Sequence, residues 1–93
     1  MPDEPEDPGE DRTLPGEPIT GTPEDIRHWV AVYRELYGFK RHLLTEVAEQ
    51  MHKVTPEGAA ELENDRKLLQ RETDRVGRRL RHWEKELEKN SGT

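Results

Sequence analysis

The stretch Val54-Thr55-Pro56-Glu57 interrupts the longest helical pattern in this sequence of 93 residues. Proline disfavours helical geometry at the residue before it, so a first helix ends within this stretch. Proline also fits the first position of a new helix, where threonine caps free N–H groups and glutamate suits the positive end of the helix dipole. The same letters recur at Thr22-Pro23-Glu24. We therefore predict two helices, over about 23–53 and about 56–89, joined by a turn at 54–56.

Apolar residues on both predicted helices repeat at spacings of three and four, the pattern of a coiled-coil seam. The seam positions are Ile26, Trp29, Tyr33, Leu36, Lys40, Leu43, Val47, Gln50 and Val54 on helix 1, and Ala59, Leu62, Arg66, Leu69, Thr73, Val76, Leu80, Trp83 and Leu87 on helix 2. Folding the chain about Pro56 places Ile26 beside Leu87 and Trp29 beside Trp83 as a clasp at the open end. The two periodicities agree with the turn. The sequence therefore predicts an all-α fold, an antiparallel two-helix hairpin that resembles a short coiled coil.

The first 21 residues differ in composition from the rest of the chain. They hold seven acidic residues, one arginine and five of the seven prolines, whereas residues 22–93 hold fourteen acidic and fourteen basic residues. Such a segment buries too little apolar surface to offset the entropy of ordering. We predict a disordered acidic tail over 1–21, the hairpin over 22–89 and a disordered C-terminus over 90–93. The tail either solubilises the protein or contacts a basic surface, which includes the protein's own.

Helix 1 carries more apolar side chains than one antiparallel helix can cover. Beside its seam runs a second stripe at seven-residue spacing, formed by Val30, Tyr37, Leu44 and Met51. Only 29% of the chain is hydrophobic, and a two-helix unit buries too little surface to be stable on its own core. We therefore predict that this stripe binds a partner. Two copies of the chain would form a four-helix bundle. The alternative partner is a helix of another protein.

No pattern in the sequence is typical of catalysis or metal binding. There are no cysteines, no HExxH pattern and no glycine-rich phosphate loop. His28 and His82 would lie near each other at the open end of the hairpin, but a zinc site needs three or four ligands. We expect no enzymatic activity, no catalytic residues, no metal and no cofactor. No apolar run approaches the roughly 18 residues of a membrane span, and the N-terminus lacks the pattern of a secretory signal, so we expect a cytoplasmic protein.

Arginine is concentrated in the second half of helix 2. Such a patch can bind phosphate groups or nucleic acid. Acidic residues, among them Glu72 and Asp74, are interleaved with these arginines, so a solvated surface of mixed charge is the simpler interpretation and we do not expect nucleic acid as a partner. The acidic tail could also reach this patch and screen it. The arginines are Arg71, Arg75, Arg78, Arg79 and Arg81.

Within helix 2, Arg66, Gln70 and Asp74 stand at four-residue spacing as R-x3-Q-x3-D. This pattern resembles the nucleotide-contacting pattern of the actinobacterial anti-sigma factors that bind cyclic di-GMP, which are themselves antiparallel helical hairpins. In that family the three side chains lie on one helical face and contact guanine edges and phosphates. The Ser and Glu that precede them in the family are Glu63 and Ala59 here, and helix 1 shows no matching copy.

Two functions are therefore open. The first is a non-enzymatic protein-protein interaction or regulatory adaptor module that acts through the apolar face of helix 1. The second, which the resemblance implies, is a hairpin that binds a cyclic dinucleotide or another polyanion and regulates a partner such as a sigma factor. The candidate anion-binding residues are Arg66, Gln70, Asp74, Arg71, Arg75 and Arg78.

Overall fold

The computed structural model describes residues 13–91, and this part of the chain forms two α-helices and no β-strand. Helix α1 is Pro23–Met51 and helix α2 is Pro56–Ser91. The predicted helical hairpin is confirmed, and its helix ends lie within two residues of the predicted ones. Helix α2 continues two residues past its predicted end, and there the Asn90 side chain donates a hydrogen bond to the carbonyl of Glu86 at 2.8 Å.

Both helices begin at the threonines that the sequence indicates. The Thr22 hydroxyl accepts a hydrogen bond from the Asp25 N–H at 3.1 Å, and the Asp25 carboxylate accepts one from the Thr22 N–H at 3.3 Å. At α2, the Thr55 hydroxyl accepts a hydrogen bond from the Gly58 N–H at 3.1 Å. Each threonine thus satisfies an N–H group that the start of a helix leaves without a partner.

Four residues, 52–55, reverse the chain between the helices. The Lys53 N–H still donates to the Gln50 carbonyl at 2.9 Å, which closes the last turn of α1. Further along the pair, Lys40 Nζ donates to the carboxylate of Glu72 at 2.9 Å, as the antiparallel register requires. The amino group of Lys40 therefore leaves the seam and pairs at its edge.

The buried core lies in the half of the hairpin farther from the turn. Its members are Ile26, Val30, Tyr33, Val76, Leu80 and Trp83. On α2 these are predicted seam positions. On α1, however, Val30 is buried and Trp29 only partly so, while the ring of Tyr37 packs against Gly77. Helix α1 is therefore rotated about its axis relative to the predicted seam.

This rotation corrects one part of the predicted partner-binding stripe. Val30 is 4% exposed and belongs to the hairpin's own core, so it does not lie on an open face. The physical reason is that α1 has two adjacent apolar rows, and helical periodicity alone does not say which of them faces α2. Gly77 accommodates the observed arrangement, because a residue without a side chain leaves room for the Tyr37 ring. A Cβ atom at position 77 would lie 3.0 Å from Tyr37 Cε1.

Candidate interaction surfaces

A tight turn precedes α1 and packs against the hairpin. The Glu17 N–H donates to the Leu14 carbonyl at 3.0 Å, and the intervening Gly16 has a φ of +83°. Proline at the second position and a positive-φ glycine at the third are the features of a type II turn. The Leu14 side chain packs against the hairpin core, and its N–H donates to Glu17 Oε1 at 2.9 Å.

The carboxylate of Glu17 is the centre of this contact. Its side chain is 0% exposed and accepts hydrogen bonds from three side chains of the hairpin. Arg79 Nη2 and Trp83 Nε1 each donate to Glu17 Oε2 at 2.6 Å, and the Tyr33 hydroxyl donates to Oε1. The donors come from both helices, so this one acidic side chain joins α1, α2 and the preceding segment. We call Tyr33, Arg79 and Trp83 the donor triad.

The donor triad also determines the charge of Glu17. Burial would raise the pKa of Glu17, but the hydrogen bonds from Tyr33, Arg79, the Leu14 N–H and Trp83 outweigh it, and the pKa is lowered from its ordinary value of 4.5. Burial and then the hydrogen bond to Glu17 and its negative charge raise the pKa of Tyr33 to about 12. Glu17 is therefore ionised and Tyr33 neutral at pH 7.

The sequence predicts a disordered tail over 1–21, and the structure differs from this prediction in residues 13–21. Residues 1–12 lie outside the described residues. From residue 13 onward, the segment holds a hydrogen-bonded turn with one apolar and one acidic side chain docked on the hairpin. Composition averages over a whole segment, so it misses a single carboxylate that meets three donors. The Leu-Pro-Gly-Glu order was the signal available in the sequence, since Pro-Gly favours a turn.

A second surface lies along α1 beside its contact with α2, and its members Trp29 and Leu36 also pack against the hairpin core. Phe39 is 60% exposed, and it lines a shallow depression together with Val32, Glu35 and Leu36. Partly buried Trp29 and Leu43 continue the row along the helix. Spacings of three and four place these residues on one helical face. We call Trp29, Val32, Leu36, Phe39 and Leu43 the outer strip.

Phe39 is the exposed large apolar side chain of α1 and does not belong to the predicted stripe, whereas the other residues of the outer strip are half-buried. Leu44 and Met51 of that stripe are half-buried. Tyr37 is half-buried too, with the Arg41 guanidinium 5.8 Å from the centre of its ring. Sequence reasoning missed Val32 and Phe39, although both fit a heptad row with Trp29, Leu36 and Leu43. Trp29, Leu36 and Leu43 are seam positions in the predicted hairpin, so the heptad pattern alone does not mark their neighbours as a separate surface.

The two tryptophans of the predicted clasp have different surroundings. Trp83 is fully buried and its ring meets His82 edge-on, with centroids 5.0 Å apart. Trp29 is partly buried, and its ring contacts His28 at 5.1 Å and Tyr33 at 6.3 Å between centroids. Trp29 therefore packs against the edge of the core, of which Tyr33 is a member. Within residues 13–91 no group of three or more His, Cys, Asp and Glu side chains is arranged to hold a metal ion.

The candidate anion-binding residues do not form one open face. Arg66 makes two hydrogen bonds to Glu63, at 2.9 and 2.8 Å, and Gln70 donates to Asp74 at 3.0 Å. Arg75 is 6% exposed, whereas Arg71 is exposed and Arg78 is intermediate. Gln70 and Asp74 line a shallow polar cleft between the helices. The other residues of that cleft are Tyr37, Arg41, Leu44, Thr45 and Thr73.

Neither helix in the described part of the chain is long and apolar enough to cross a membrane. Comparisons with protein-family models, with curated proteins and with solved structures found no match to this chain. The case for a function therefore depends on the two surfaces just described.

Proposed function

We propose that this protein is a non-enzymatic interaction module whose outer strip pairs with the outer strip of a second copy, giving a four-helix bundle. The observation that carries the proposal is the exposure of Phe39 at the centre of an apolar row on a helix whose other apolar face is already used. An exposed large apolar patch on a small, highly charged protein is typical of an interaction site.

The size of the strip suits a helix-to-helix contact. From Trp29 to Leu43 it extends ~21 Å at 1.5 Å per residue. Full burial of a phenylalanine side chain contributes about 1.5–3 kcal/mol, and a two-fold contact buries every such side chain twice. Leu36 and Phe39 lie near the middle of the strip, so they would meet their symmetry mates close to the two-fold axis.

Two properties of the chain favour a second copy as the occupant. Residues 22–93 hold equal numbers of acidic and basic residues, so two copies do not repel each other through net charge on the helices. The hairpin is also a single layer of two helices, whereas stable domains are built from two packed layers. A second hairpin supplies the missing layer without any other component.

Sedimentation equilibrium of the full chain tests this proposal through one variant and one matched control. Phe39→Glu places a carboxylate at the centre of the strip and near its symmetry mate. Leu68→Glu makes the same kind of change on α2, at a side chain that is 59% exposed against 60% for Phe39. We expect the wild-type chain and Leu68→Glu to have twice the mass of the 10.9 kDa chain at high concentration. Phe39→Glu should weaken the dimer at least about a hundredfold.

Circular dichroism of each variant confirms that the helices are intact. An unchanged dissociation constant for Phe39→Glu would overturn the proposal. A wild-type chain that stays monomeric over a hundredfold range of concentration would overturn self-pairing, and would assign the outer strip to a helix of another protein.

The polar cleft at Gln70 and Asp74 supports a second candidate, the binding of a cyclic dinucleotide or another polyanion to regulate a partner. Arg41 lies in the same cleft and supplies a positive charge. Arg66 must leave Glu63 to take part, so we expect weak binding and a steep dependence on salt. Calorimetric titration of the full chain with cyclic di-GMP, repeated on Arg66→Ala, tests this candidate. No heat of binding at low salt would exclude it for this ligand.

A further inference from the structure

The donor triad has the composition of a carboxylate-binding site. A guanidinium, an indole N–H and a phenol hydroxyl converge from two helices on one carboxylate group. Arginine and the indole have no acceptor, so a neutral amide or a cation makes a poorer match than an anion. The Trp83 ring and Tyr33 are both fully buried, which fixes the directions of their donors.

The present occupant, the turn at residues 14–17, is attached to the hairpin through few side chains. Leu14 packs on the core and Glu17 fills the site. The residues that join this turn to α1 make less contact, since Ile19 is 90% exposed and Thr20 is exposed. A segment held at two points and followed by an exposed connection can leave the hairpin without unfolding either helix.

Glu17 also leaves part of the site unused. Arg79 donates to Glu17 through Nη2, while Arg79 Nε is buried and has no hydrogen-bond partner. A carboxylate that approaches arginine from the side can accept from Nε and a terminal nitrogen together, which is the stronger arrangement. The receptor side is thus able to bind a carboxylate more completely than its own chain does.

We infer that Tyr33, Arg79 and Trp83 form a receptor for an acidic peptide segment of a partner, with Glu17 as the internal ligand that occupies the receptor until it is displaced. The peptide class follows from the occupant: an apolar residue, a Pro-Gly turn and a glutamate three residues after the apolar one. The site shares no residue with the outer strip, although Trp29 of the strip contacts Tyr33, so it provides a second binding surface that is closed in the free protein.

Tethering sets the concentration that a competitor needs. A segment linked by a few residues acts at an effective concentration of roughly millimolar or above. A free peptide with the same contacts therefore competes poorly with Glu17 in the wild-type chain. It binds readily once the internal ligand has lost its charge, as in Glu17→Gln.

The test titrates the ¹⁵N-labelled full-length Glu17→Gln chain with a peptide of residues 12–21 and follows the Trp83 indole N–H signal. We expect saturable binding that returns this signal to its wild-type position, and at least about tenfold weaker binding to the wild-type chain. A peptide with glutamine in place of the glutamate should not bind. The double variant Glu17→Gln/Arg79→Met should not bind the original peptide.

Glu17→Asp is the second variant if Glu17→Gln does not fold. It keeps the charge but is one methylene shorter, so it weakens the internal contact, and the same peptide must then displace it. No movement of the Trp83 signal at several millimolar peptide, or an equal response to the glutamine peptide, would overturn the inference. Neither result depends on the oligomeric state, which sedimentation of the Phe39→Glu variant tests separately.

Discussion

Glu17 is the side chain on which the segment before α1 depends. It is fully buried, and it is hydrogen-bonded to both helices through Tyr33, Arg79 and Trp83. Hydrogen bonds to charged groups contribute about 1.5–3 kcal/mol each at most, and the loss of one partner also leaves the other groups without an acceptor.

We expect Glu17→Gln to lower the free energy of unfolding by about 2–3 kcal/mol, because Arg79 loses its buried counter-charge. Urea denaturation followed by circular dichroism measures this change. Glu61→Gln is the control, since Glu61 is exposed on α2 outside the proposed interface and should change stability by less than about 0.5 kcal/mol. A loss for Glu17→Gln no larger than for Glu61→Gln would mean that the turn does not stabilise the hairpin.

The pKa of Glu17 predicts how this contribution depends on pH. Because the pKa is lower in the folded chain than its ordinary value of 4.5, the contribution is present above that value and is lost as pH falls through the folded pKa. For Tyr33 the sign is reversed. Its pKa is raised from 10.0 to about 12, so its contribution is present below pH 10 and is lost as pH rises through 12. Denaturation midpoints across pH should fall at both limits.

Glu17→Gln should reduce the loss of stability at acid pH by the amount that Glu17 contributes to it. An identical acid profile for wild-type and Glu17→Gln chains would contradict the assignment.

Gly38 in the middle of α1 and Gly77 in the middle of α2 give a paired test of the helix rotation. A Cβ at Gly38 meets no atom within 4 Å, so Gly38→Ala should stabilise the chain by about 1 kcal/mol. A Cβ at Gly77 lies 3.0 Å from Tyr37 Cε1, so Gly77→Ala should gain less or destabilise. In a Tyr37→Ala background the two substitutions should become alike. Equal gains in the wild-type background would contradict the placement of Tyr37.

At the scale of the helices, the ends and the register could be predicted because they depend on neighbouring residues. The Thr22 and Thr55 hydroxyls accept hydrogen bonds from N–H groups three residues ahead. The turn directly precedes Pro56, and proline disfavours helical geometry at the residue before it. The faces were harder to predict. The rotation of α1 goes with the contact between Tyr37 and Gly77. These residues are 40 positions apart in the sequence and come into contact only after the chain has folded.

The same contrast explains which parts of the candidate sites were found. The sequence shows that α1 has more apolar residues than one antiparallel helix can cover. The rotation of α1 about its own axis determines whether Val30 or Phe39 is exposed to solvent. The Glu17 site needs four residues from three separate segments, and their donors and acceptor have no shared spacing in the sequence.

The caps offer a prediction for each helix. Thr22→Ala and Thr55→Ala should each destabilise by about 1 kcal/mol, because each leaves a helix-start N–H without its acceptor. Thr45→Ala is the control, because the exposed Thr45 hydroxyl only donates to the Arg41 carbonyl within α1. Thermal denaturation compares the three. If both cap variants match Thr45→Ala, these threonines are not caps in solution.

On the scale of the whole molecule, buried and exposed apolar side chains are distributed unevenly over the hairpin. The fully buried side chains lie toward the open end, where the turn at residues 14–17 adds a third element. The outer strip lies on α1 alone, and no described element of the chain covers Phe39. A second copy placed on this strip turns one layer into two, while the donor triad remains on a separate surface.

The most direct test of that assembly is an isotope-filtered NOE measurement on a mixture of labelled and unlabelled full-length chains, which detects only contacts between copies. We expect cross-peaks from the Phe39 ring of one copy to the methyl groups of Leu36, Val32 and Leu43 of the other. Contacts between copies that involve Leu68 and spare Phe39, or none at millimolar concentration, would contradict pairing through the outer strip.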